Sequence, residues 1–72
     1  MPHRLARDFA TNLLSTLNAN RMTQRELARR SGISHVHINR LLHGLSDPTL
    51  ETVYALACAA GTTAENLVRH RS

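Results

Sequence analysis

The chain has 72 residues, 42% of them hydrophobic, with nine basic and five acidic side chains and a net charge of +4 at neutral pH. That is enough for one small domain, residues 1–72, and too apolar for a disordered chain, while no apolar run is long enough to cross a bilayer. The single cysteine, Cys58, excludes an internal disulfide and any CxxC zinc site, and Met1-Pro2-His3-Arg4 leads into no apolar signal segment, so a reducing, cytoplasmic setting is expected.

Apolar residues recur at helical spacing almost throughout, and no stretch alternates as a strand does. Leu5, Phe9, Leu13 and Leu17, with Ala6, Ala10 and Leu14 alongside, predict a first helix over 4–19. Its break is expected at Asn20-Arg21, because Asn tolerates the left-handed conformation that ends helices. Thr23-Gln24-Arg25-Glu26 reads as a capping box, with Met22 and Leu27 at the two positions of a hydrophobic staple. The second helix runs to Arg30 and stops at Ser31-Gly32.

Ser34 caps a third helix, with Ile33 and Ile38 as a second staple, and Gly44 ends it after His43. Asp47-Pro48 blocks continuation. Thr49 caps a fourth helix that carries Leu50, Val53, Leu56 and Ala57 on one side and ends at Gly61. Cys58 reads as a buried thiol in that helix, and Tyr54 stays open between core and interface. Thr62-Thr63-Ala64-Glu65 reads as another capping box, opening a short fifth helix with Leu67 and Val68. Five short helices with brief connections predict a compact all-α domain.

The charge is unevenly placed. Arg21, Arg25, Arg29, Arg30 and Arg40 face a single acid, Glu26, in the window 21–46, whereas Arg4, Arg7, Arg69 and Arg71 balance Asp8, Asp47, Glu51 and Glu65 outside it. The four outer arginines and His70 read as solvated terminal groups. The whole net charge therefore lies in the middle third, as expected of a chain that meets a polyanion with one face.

The second and third helices, joined by Ser31-Gly32-Ile33, read as a helix-turn-helix over 23–43. With Ile38 at the centre of the third helix's inner side, Ser34, Leu41 and Leu42 fall within about 60° of it. Val36, Arg40 and His43 fall opposite, with His35 and Asn39 on one flank and His37 on the other. Arg can donate twice to guanine, Asn can pair with adenine, and an uncovered Val can meet a thymine methyl. Gln24 and Arg25 stand in the first turn of the second helix, where free N–H groups favour a phosphate, and Arg29 lies one turn from Arg25. Glu26 and Arg30 are spaced for a weak ion pair.

Thr23-Gln24-Arg25-Glu26-Leu27-Ala28, Gly32-Ile33-Ser34, Ile38, Gly44, Pro48 and Leu50…Leu56-Ala57 together resemble the Cro/C1-type (Xre-like) helix-turn-helix domain of phage repressors and many bacterial regulators. The resemblance covers about residues 12–68 and implies a five-helix, lambda-repressor-like fold. It implies that Gln24 binds a backbone phosphate, that His35, Val36 and Arg40 meet bases, and that His37 and Asn39 take part. The loop from His43 to Ser46 then approaches the backbone, and Ser34 at the head of the third helix joins the phosphate set. Two positions depart from the family pattern: Arg21 stands where Gly is common, and His43 where an acid is common.

The expected function is sequence-specific binding of double-stranded DNA by a transcriptional regulator, a repressor on a palindromic operator. One short helix reads few base pairs, so a homodimer with half-sites about 34 Å apart is expected. The resemblance puts its contact near Leu67 and Val68 of the fifth helix. One rival is an antitoxin that represses its own operon and also binds a protein toxin. Another is a protein-interaction module that has no DNA target. His35 and His37, two apart, point away from each other, so no metal is expected. No nucleophile has a positioned base, no cofactor motif is present and no membrane partner is indicated, so the chain is not read as an enzyme.

Overall fold

The computed structural model describes residues 4–70, which form α1 (Arg4–Asn20), α2 (Gln24–Ser31), α3 (His35–Leu42), α4 (Leu50–Ala60) and α5 (Ala64–Val68), with no strand among them. Arg71, expected at a solvated end, lies outside the described residues. None of these helices is long and apolar enough to cross a membrane.

Short-range hydrogen bonds place the helix starts. The Thr23 hydroxyl accepts from the Glu26 N–H at 3.0 Å, Ser34 from the His37 N–H at 3.1 Å and Thr49 from the Thr52 N–H at 3.2 Å. Each satisfies a donor that the first helical turn leaves without a partner. Two details differ from expectation. The Glu26 carboxylate turns to Arg30 at 2.7 Å, so only the hydroxyl arm of that box defines the cap. The cap of α5 is Thr63, which accepts from the Asn66 N–H at 3.1 Å, while the Thr62 hydroxyl accepts from the Asn66 side chain.

Three helix ends share one geometry. Met22 N–H reaches the Leu17 carbonyl, Leu45 N–H that of Arg40 and Thr62 N–H that of Ala57, at 2.9–3.0 Å. This six-to-one bond needs a left-handed residue just before the donor. Gly44 and Gly61 supply it after α3 and α4, but after α1 it is Arg21, at φ +54°. Asn20, expected to make that turn, is instead the last helical residue, and its amide donates to the Ala60 carbonyl at 2.9 Å.

The core forms where α1 packs on α3, α4 and α5, and α2 on α3 and α4. Phe9, Leu13, Leu27, Ile38, Leu41 and Leu56 fill its centre, and the staple residues Met22 and Ile33 close over it. Several side chains at the margins of the apolar stripes lie outside. Leu5 and Leu14 are exposed because the buried line of α1 runs through Ala6, Phe9, Ala10, Leu13 and Leu17. On α4 the buried residues are Val53, Leu56, Ala57 and Ala60; Leu50, Tyr54 and Cys58 follow one another four apart on the far side and are exposed. Cys58 is thus a surface thiol.

Leu67 is also corrected. It is fully buried in the core, so its side chain has no surface to offer a second copy, and only Val68, at 38% exposure, remains of that pair. Its neighbour across the core edge is Asn12, the one buried polar side chain among the described residues.

Candidate nucleic-acid interface

The turn between α2 and α3 is held by its own backbone. Gly32, at φ +76°, donates to the Ala28 carbonyl at 3.0 Å, and the Ile33 N–H donates to the Ser31 hydroxyl at 3.1 Å. Ile33 then turns inward, which starts α3 with its apolar side down.

That side is Ile38 and Leu41, both at 0% exposure, with Leu42 half-buried. The opposite side presents His35, Val36, His37, Asn39 and Arg40, all exposed, Val36 at 73%. The five expected base-contacting residues are thus all exposed, with Val36 and Arg40 opposite the buried side, His35 and Asn39 on one flank and His37 on the other. Ser34, expected on the inner side, is exposed, because as the cap it precedes the first helical turn.

Of the expected phosphate set, Gln24, Arg25 and Arg29 lie on α2, Ser34 just before α3, and His43 and Ser46 after it. Gln24 is half-buried at the start of α2, and its Oε1 accepts from Asn39 Nδ2 across 3.4 Å, linking the two helices. Arg25 and Arg29 are exposed beside a hollow of about 410 Å³ that they line with Thr23 and Glu26. Glu26 draws Arg30 to 2.7 Å and lies 4.0 Å from Arg29, so most of its charge is matched within α2. His43 lies 2.8 Å by Nδ1 from the Asn39 carbonyl. A carbonyl only accepts, so in this contact Nδ1–H is the donor. Ser46 is half-buried in the loop that follows.

Arg7 lies near the loop that follows α3, although its place in the sequence marks it only as terminal. The loop after α3 runs against the start of α1: a Cβ added at Gly44 would stand 4.0 Å from Arg7 Cγ. Nothing in local spacing signals that approach. His70, read as a free end, donates through Nδ1 to Asp8 at 3.0 Å, and Arg69 donates to the Asn66 side chain at 2.9 Å. Among the described residues no group of three His, Cys, Asp or Glu side chains is placed to hold a metal ion.

No curated protein matches this chain. The fold is similar to that of a hypothetical transcription factor, NHTF, from Neisseria, with a TM-score of 0.86 and 23% identity over 92% of this chain and 76% of that one. A helix-turn-helix family model matches residues 15–67, which include every helix named above except the first turns of α1 and the end of α5. On that match, most of the chain's length, the protein belongs to the Cro/C1-type family of DNA-binding helix-turn-helix domains.

Proposed function

We propose that this protein binds double-stranded DNA sequence-specifically as a transcriptional repressor, with α3 lying in the major groove. One observation carries the reading: Ile38 and Leu41 are wholly buried while Val36 on the opposite side of the same helix is 73% exposed among polar side chains. A helix kept outside only for solubility has no use for an uncovered valine, whereas a base-reading helix does. In this reading His35, Val36, His37, Asn39 and Arg40 face base edges. Gln24, Arg25, Arg29, Ser34, His43 and Ser46 hold the backbone, and the first-turn N–H groups of α2 support a phosphate.

The protein acts as a homodimer on a palindromic operator, since eight helical residues span too few base pairs for a unique site. Val68 stays a candidate for the contact between copies.

Selection of binding sites from random duplex DNA tests the proposal, and a two-fold symmetric consensus is expected. On the selected site Arg40→Ala should cost about 1–3 kcal/mol and relax preference at one position, while Gln24→Ala weakens all sequences alike. Equal losses on every sequence from both variants would refute the assignment of α3. A protein toxin that co-purifies and masks the DNA face would favour the antitoxin reading instead.

A further inference from the structure

We propose that the hollow between α1 and α5 binds a small hydroxylated anion, a sugar phosphate or a hydroxy acid. The hollow measures about 430 Å³, within the range of about 300–1,000 Å³ usual for ligand clefts. Asn12, Ser15 and Thr16 of α1, Thr62 of the turn before α5, Asn66 of α5 and Arg69 just after it form the lining. None of these six side chains is a hydrocarbon and none is acidic. None belongs to the set assigned to DNA, so the site stands independently of that assignment.

The walls are held by their own hydrogen bonds. Asn12, at 4% exposure, gives its Nδ2–H groups to the Leu67 and Arg69 carbonyls, which ties α1 to the end of α5. Asn66 donates to the Thr62 hydroxyl at 3.2 Å, and its Oδ1 accepts from Arg69 at 2.9 Å. That bond orients the guanidinium and takes one of its five N–H donors. Among the described residues no carboxylate pairs with Arg69, and Asp8, one turn before Asn12, is engaged by His70 at 3.0 Å. The remaining guanidinium donors match an oxyanion. Beyond Arg69 the wall is hydroxyl and amide. Thr62 accepts from Asn66 and keeps its own proton to give, and the exposed Ser15 hydroxyl can donate or accept. A ligand with hydroxyls replaces the hydrogen bonds of the water it displaces, whereas an aliphatic or aromatic one leaves these groups unpaired.

The experiment follows the amide resonances of the isotope-labelled full chain during titration with glucose 6-phosphate, gluconate, glucose and inorganic phosphate at matched ionic strength. One or both of the first two should shift Ser15, Thr62, Asn66 and Arg69 saturably, with half-saturation at roughly 0.1–1 mM. Which of them does so separates the sugar phosphate from the hydroxy acid, and equal binding shows that the oxyanion is read whatever its kind. Glucose lacks the charge and inorganic phosphate lacks the hydroxyls, so each should bind at least about tenfold more weakly. Arg69→Gln keeps a donor for Asn66 and removes the charge, and should raise the half-saturation of the better ligand about tenfold or more. The inference is overturned if neither organic anion shifts these residues saturably, or if the shifts fall on α2 and α3 instead. Undiminished binding by Arg69→Gln, or binding of glucose or inorganic phosphate as tight as that of the better ligand, overturns it equally.

Discussion

The side-chain amide of Asn12, in the middle of α1, donates to the Leu67 carbonyl at 2.9 Å and to the Arg69 carbonyl at 2.8 Å. One buried side chain thereby satisfies the end of α5, whose last carbonyls have no helical partners. A helix of five residues has little stability of its own, so this bond and the burial of Leu67 hold it in place. Asn12→Ala leaves two carbonyl groups without their donor and should cost about 1–3 kcal/mol. Asn12→Asp, which puts an acceptor in place of the donor, should cost more. Thermal unfolding of the three proteins gives the comparison, with roughly 4–8 °C expected per kcal/mol in a domain of this size.

Arg21 adopts a left-handed backbone at the position that glycine fills after α3 and α4. A side chain with a Cβ pays about 1 kcal/mol for that conformation. Arg21→Gly should therefore raise the melting temperature by several degrees, although glycine gains freedom when unfolded and offsets part of the effect. An unchanged or lower melting temperature would show that the turn is not the strained element.

Ile38 and Val36 are two residues apart and have very unequal expected effects on stability. Ile38→Ala empties a fully covered site and should cost about 2–5 kcal/mol, enough to abolish cooperative folding in so small a domain. Val36→Ala should change stability by less than about 0.5 kcal/mol. Urea unfolding of both variants reads the difference directly. It separates the two sides of α3 without reference to DNA.

Arg7 stands beside the loop after α3 through the approach of α1 to Gly44. If it meets a phosphate, Arg7→Ala weakens binding to every duplex equally and reduces the slope of log affinity against log salt by about one. Arg69→Ala, at an end whose side chain is engaged with Asn66, serves as the control and should leave the slope unaltered. Binding titrations at three or four salt concentrations suffice.

The Gln24–Asn39 contact joins a side chain assigned to the backbone with one assigned to a base. Their substitutions should not be additive. In a double-mutant cycle of Gln24→Ala and Asn39→Ala on the selected site, a coupling of about 0.5–1 kcal/mol is expected. Independent effects would mean that Gln24 does not orient Asn39.

The five helices, most of their caps and the exposed side of α3 follow from the order of residues alone. Thr23, Ser34 and Thr49 cap as the sequence indicates because a hydroxyl and an N–H three residues on meet within one turn, whatever the rest of the chain does. The two sides of α3 were legible for a similar reason: Ile38, Leu41 and Val36 differ so strongly in angle that any packing partner buries the first two and leaves the third. At the margins of the apolar stripes, the packing of helix on helix sets the outcome. Leu14, Leu50 and Cys58 are as apolar as their buried neighbours, and only the position of the adjoining helix leaves them uncovered. Leu67 goes inside rather than to a partner for the converse reason. The bonds from Asn12 to α5, Asn20 to Ala60 and Asn39 to Gln24, and the place of Arg7 beside Gly44, join residues far apart in the chain. Helical periodicity carries no record of such pairs, because it describes the directions side chains take from one axis and not how the axes are set against each other.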